Sequence, residues 1–179
     1  MKIRSLISLV AAVTAAGSLW ADSGTWTAAS GGNWNDVANW SGGIIASNSG
    51  STAILSSGTG TIYNDMADPA LALLGVQFAG GGYTLAGNTL TLDSAGFITV
   101  AGGIHTVSAP LVLGGNATFS VASAQTLNVG GAVSGNGGLT VYGGRVVLGN
   151  AANSYTGATV LVTGLLEVAS VTSLGSSPV

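Results

Sequence analysis

From Leu71 onward the apolar residues come in short runs with a polar residue between them, and Gly, Ser or Asn bounds most runs. Leu90-Thr91-Leu92, Ile98-Thr99-Val100 and Leu139-Thr140-Val141 show the pattern: two aliphatic side chains on one face, a threonine on the other. Alternation with period two predicts short strands, each with one buried face. The runs also recur. One series of strand ends falls at Phe78, Val100, Val121, Val141 and Val162, and a second at Leu85, Val107, Val129, Leu148 and Val168. A third falls at Leu71, Leu92, Leu113 and Val133. All three series share a spacing of about 21 residues, the mark of a solenoid.

The expected fold is all-β: a right-handed parallel β-helix with three short strands per coil of about 21 residues. A three-residue strand buries almost nothing alone. Stacked coils place like on like, and each fully buried Val, Leu or Ile then contributes about 1.5–3 kcal/mol. Glycine clusters such as Gly114-Gly115-Asn116, Gly130-Gly131 and Gly143-Gly144 suit the tight corners between strands. Upstream, from Gly42 to Pro69, the pattern is weaker. Strands are expected at Ala53-Ile54-Leu55 and Thr61-Ile62-Tyr63, and Pro69 suits a corner but not a central strand.

The N-terminus reads differently. Lys2 and Arg4 precede a mostly apolar run from Ser5 to Gly17, and polarity returns at Asp22. That is the layout of a secretory signal peptide, expected to be cut after Ala21 or, as an alternative, after Gly17. The run is too short for a permanent membrane span, which takes about 20 residues. The chain therefore divides into a signal peptide (1–21), a Trp-rich cap with the first irregular coils (22–69), and the regular coils (70–179). Its expected address is extracellular or the outer cell surface.

Charge narrows the partners. The sequence has three Lys or Arg against six Asp or Glu, and loss of the signal peptide leaves Arg145 as the only base. One cation cannot neutralise a row of phosphates, so nucleic acid is excluded and an anionic membrane surface disfavoured. There is no cysteine, so packing and backbone pairing alone must hold an exported fold together. Disorder is excluded as well, because disordered chains lack aliphatic residues and this one repeats them regularly.

Residues Gly149-Asn150, Asn153-Ser154-Tyr155-Thr156-Gly157-Ala158-Thr159-Val160 and Gly164-Leu165-Leu166-Glu167-Val168 resemble the autotransporter-associated β-strand repeat, also called the passenger-associated transport repeat. The similarity is fullest over residues 138–168, and the opening Trp26, Trp34, Asn39-Trp40 pattern is similar to the start of many such secreted bacterial proteins. Val141 stands where the family usually has Lys, and Asn150-Ala151-Ala152 lengthens a corner. The resemblance implies a parallel β-helix on the cell surface, and it carries no catalytic residue across.

The chemistry on offer is sparse. Trp26, Trp34 and Trp40 suit either an aromatic platform for sugar rings or a hydrophobic lid on the first coil, since a solenoid end needs a cap. Asp65 and Asp68 are the only closely spaced acids, and solvated turn residues account for them. Asp93 and Glu167 are isolated, and Asp93 suits a corner. Arg145, after a glycine pair, is expected to face solvent. His105 has no neighbouring acid or activated serine in sequence and is expected to be satisfied at a coil edge. Nothing calls for a metal or another cofactor. The leading expectation is a non-enzymatic surface protein, a stalk, passenger or adhesin segment whose partner is a surface glycan or another surface protein. The rivals are a carbohydrate-binding module built on the three tryptophans and a polysaccharide-degrading enzyme. The end at Pro178-Val179 follows an apolar coil with no polar cap. The sequence thus predicts either a longer gene product or a covered end, with end-to-end association as one way to cover it.

Overall fold

The structure, a computed structural model, describes residues 21–66 and 71–176. The signal-peptide reading of residues 1–20 therefore lies outside the described residues, as do Asp68, Pro69 and the Pro178-Val179 end.

Sixteen strands follow one another along the described chain. They are β1 (Gly24–Trp26), β2 (Gly31–Asn33), β3 (Thr52–Leu55), β4 (Gly58–Asn64), β5 (Leu71–Phe78), β6 (Gly81–Gly87), β7 (Leu90–Val100) and β8 (Ile104–Val107). The rest are β9 (Leu111–Leu113), β10 (Ala117–Val121), β11 (Thr126–Val129), β12 (Val133–Gly135), β13 (Leu139–Tyr142), β14 (Arg145–Leu148), β15 (Thr159–Leu161) and β16 (Leu165–Val168). One sheet stacks β1, β3, β5, β7, β10, β13 and β15; a second stacks β2, β4, β6, β8, β11, β14 and β16. A narrower third face carries β12 on β9, β9 on the first part of β7, and that on the first part of β5. All pairings between these strands are parallel, as stacked windings require. The fold is all-β, a parallel β-solenoid, and the described helical pieces are the 3₁₀ turns Val37–Asn39, Ser41–Gly43 and Val171–Leu174.

The interior follows the alternation. Leu55, Phe78, Val100 and Val121 point into the column from one sheet, and Ile62, Leu85, Val107, Val129 and Leu148 from the other. Leu71, Leu73, Leu90, Leu92, Leu111, Leu113 and Val133 close the third face. One expected series is realised in full: Leu85, Val107, Val129, Leu148 and Val168 lie over one another in register.

The other two series slip, for a physical reason. Val141 stacks on Phe119 rather than on Val121, and in the third series Leu71 pairs with Leu90 while Leu92 lies on Leu73. Both are slips of two residues. With a side-chain period of two, such a slip keeps the same face inward, so the pattern alone could not detect it. Val162 misses by one: Leu161 pairs with Val141, and the Val162 amide, just past the strand end, donates to the Val141 carbonyl at 2.9 Å.

Three strands per level are found where β9, β10 and β11, then β12, β13 and β14, succeed one another. Earlier levels differ, because β5 and β7 run through a corner as single strands of 8 and 11 residues. Their pairing shifts register between Leu73 and Gly75. Gly75 is required there because the Phe97 ring lies where a Cβ would stand, and Ala95 turns the neighbouring strand with a φ of 64°. A second forced glycine column runs along the other corner. Gly81 (φ 84°) lies against the Gly58 carbonyl and Gly103 (φ 90°) against that of Gly81, approaches no side chain would permit.

Candidate functional site

The tryptophan-rich segment builds the first winding. Asp36 starts the turn Val37–Asn39 by accepting the Ala38 amide at 3.0 Å, which swings Trp40 back beside β1. Trp26 and Trp40 then form an antiparallel bridge, and residues 40–46 cover the outer edge of β1. The three rings meet in one cluster with centroid separations of 6.4, 5.2 and 4.9 Å, two of the three contacts edge-on. Each indole N–H has an acceptor: Trp26 gives to the Ala28 carbonyl at 2.9 Å, Trp34 to Ala46 at 2.8 Å, and Trp40 to Trp34 at 2.7 Å. Trp26, Trp34 and Trp40 are 0%, 0% and 3% exposed. In this arrangement they form a lid on the apolar column, and none offers an open ring face to a sugar.

His105 lies inside the stack, fully buried, its ring 4.3 Å from that of Phe78 and nearly parallel to it. Its Nδ1 accepts the backbone amide of Tyr83, one winding earlier, at 3.0 Å. An amide can only donate, so Nδ1 is unprotonated and the proton sits on Nε2, which gives to the Gly102 carbonyl at 2.9 Å. Burial pushes the imidazole below its ordinary pKa, partly offset by the Gly102 bond. Tyr83 in turn reaches two windings back, its hydroxyl on the Ala28 carbonyl at 2.9 Å, and burial raises its pKa. This histidine is satisfied, as expected, but deep in the stack rather than at its edge.

Two residues of the stretch 149–168, Asn153 and Tyr155, tie the last windings together. Asn153 occupies a place on the third face where a strand residue would otherwise sit. Its Oδ1 accepts the Val133 amide at 2.8 Å and its Nδ2 donates to the Ser173 carbonyl at 2.7 Å, so one side chain ties three successive levels. Tyr155 fills the column below, fully buried, with its hydroxyl 2.7 Å from Thr159 Oγ1.

The acids are separated. Asp65 accepts the Asn35 amide at 2.8 Å, holding the second winding to the first. Asp93 accepts both Ser49 Oγ at 2.8 Å and the Gly50 amide at 2.7 Å, pinning a loop two levels earlier. Arg145 faces solvent as expected, its side chain 43% exposed, and there it forms a two-pronged pair with Glu167 of the next winding at 2.7 and 2.6 Å. The hydrogen bond raises the arginine pKa and lowers that of the glutamate. Arg145 borders a shallow depression of about 380 Å³ shared with Ser123, Gln125, Thr126 and Leu165. Among the described residues no three His, Cys, Asp or Glu side chains converge as a metal site, and no helix is long and apolar enough to cross a membrane. No known protein family, curated protein or solved structure matches this chain.

Proposed function

We propose that this chain is a structural β-solenoid without catalytic activity, exported and displayed at the cell surface as a stalk or passenger segment. The observation that carries the reading is how its few chemically capable side chains are engaged. The three indoles, His105, Asp65, Asp93, Asn153 and the Arg145–Glu167 pair each bond to backbone or side chains of the windings, and they do not converge on a common opening. The apolar run at residues 5–17 and the likeness of residues 138–168 to the autotransporter-associated repeat support the address.

Expression of the full reading frame in an exporting bacterial host tests this. Mass spectrometry of the product is expected to find cleavage after Ala21, and protease applied to intact cells is expected to reach it. An uncleaved chain retained in the cytoplasm would overturn the reading. On a glycan array the native chain is expected to show no retention that Trp34→Ala or Trp40→Ala removes without unfolding it.

A further inference from the structure

The shortest seam of the stack lies in its second sheet, between β6 and β8. β4 and β6 pair over seven residues and β8 and β11 over four, whereas β6 and β8 pair only at Thr84 with Thr106 and at Leu85 with Val107. Among the described residues every other pair of strands shares at least three rungs. The cause is a side chain. Next along β6, the Tyr83 amide gives to the imidazole Nδ1 of His105 at 3.0 Å and not to the backbone of β8. Tyr83 also carries the connection to the lid. Its hydroxyl and the Trp26 indole N–H both give to the Ala28 carbonyl, each at 2.9 Å. One run of hydrogen bonds therefore joins the imidazole, the seam and the capped first winding.

We propose that His105 is a proton-operated latch: in mild acid its protonation opens the seam between β6 and β8 and loosens the tryptophan lid, while the later windings hold. Nδ1 has one lone pair, and the Tyr83 amide occupies it. A protonated ring would set N–H against N–H, so the proton is taken up only when the seam parts. Nothing in the interior compensates an imidazolium. β5 faces the ring with Phe78 and β11 with Leu127, and Tyr83 is the one other titratable side chain on β5, β6, β8 or β11. Among the described residues no Asp, Glu, Lys or Arg is buried. Burial holds the ring below its ordinary pKa by more than the Gly102 bond restores.

With the seam open the ring regains its ordinary pKa of about 6.5, so each pH unit below that favours the open form by up to about tenfold. Above it the latch stays shut. Tyr83 decides how far the opening spreads. As its amide leaves the ring, its hydroxyl is drawn off the Ala28 carbonyl, an anchor of the lid. On the far side β8 keeps its pairing with β11, which is backbone throughout and has no proton to gain. The opening therefore runs toward the capped end and stops at β8 in the other direction.

Hydrogen exchange read by mass spectrometry tests this on the chain purified after export, with each rate corrected for intrinsic exchange. Between about pH 7.5 and pH 5, protection of β6, β8 and the lid (residues 24–46) is expected to fall about thirtyfold, the ratio set by an open-state pKa of about 6.5. β12 to β14 are expected to keep theirs. His105→Asn offers the Tyr83 amide an oxygen that takes up no proton in this range, and it is expected to abolish the acid response. Tyr83→Phe leaves the Ala28 carbonyl its bond from the Trp26 indole. It is expected to keep the response at β6 and β8 and to lose it in the lid. A folded chain whose lid stays protected in acid overturns the proposal. So does protection lost equally from all windings, or an acid response that survives His105→Asn or persists in the lid of Tyr83→Phe.

Discussion

At the first winding the apolar column stops against three indoles, each hydrogen-bonded through its N–H, with a folded-back segment over the edge of β1. Among the described residues the same column runs out at Leu161, half exposed, where β15 and β16 are each paired on one side. The repeat supplies both levels, yet among the described residues only the first is closed on every face that carries an indole. Closing a stack takes residues that leave the repeat, enough apolar volume to fill the last layer, and a hydrogen-bond partner for every polar atom that volume brings in. The segment from Trp26 to Ala46 meets all three conditions. Beyond β16, the turn at Val171–Leu174 meets them on one face.

The largest test of this contrast is Trp34→Ala. It empties the centre of the lid and is expected to cost about 3–5 kcal/mol, read as a drop in the urea midpoint. Leu148→Ala and Leu161→Ala come next. The buried site is expected to lose about 2–5 kcal/mol. The exposed one is expected to stay within about 0.5 kcal/mol of wild type; equal losses would mean that the last winding is covered in the isolated chain. Asn153→Ala is expected to cost about 1–3 kcal/mol, because it strands the Val133 amide and the Ser173 carbonyl. Hydrogen exchange should locate that loss at β12 and the Val171–Leu174 turn, leaving the tryptophan end protected.

Acid should act on the middle of the stack. His105 has a lowered pKa when folded, so below about pH 6.5 the unfolded chain takes up a proton that the folded chain refuses. Stability therefore falls as pH drops through that range, and it is fully present above it. Denaturant midpoints across pH 5–8 should show the slope, and His105→Gln should flatten it. A slope that survives the substitution would assign it to other groups. The smallest effect is expected from Arg145→Ala. The pair is more than two-fifths exposed on each side, and its loss should move the melting midpoint by no more than the error of the measurement.

Much of the architecture was legible because one column, Leu85 to Val168, repeats without error. The slips at Val141 and Leu92 were invisible for the same reason that the faces were visible: moving by two changes the partner and not the side. The bends inside β5 and β7 escaped notice because a lone glycine within an apolar run, Gly75, does not announce a bend, and an alanine, Ala95, gives no sign of its positive φ. The lid was one of two readings of the tryptophans, and sequence spacing alone could not weigh them, since the deciding acceptors are the backbone carbonyls of Ala28, Trp34 and Ala46. The position of His105 was hidden similarly, its partner being an amide 22 residues away. Arg145 and Glu167 are also 22 residues apart, close to one period, a spacing that could have suggested their pairing.

Because every sheet stacks its strands parallel, the ladder hydrogen bonds run along the length of the molecule. A tether pulling its two extremities apart would load these bonds a row at a time, as in a zipper. Each row released would pay out one loop of backbone, about 70 Å for 21 residues. Under tension such a rod lengthens in equal increments and yields gradually, a shock absorber whose step length is written in the spacing of its valines and leucines.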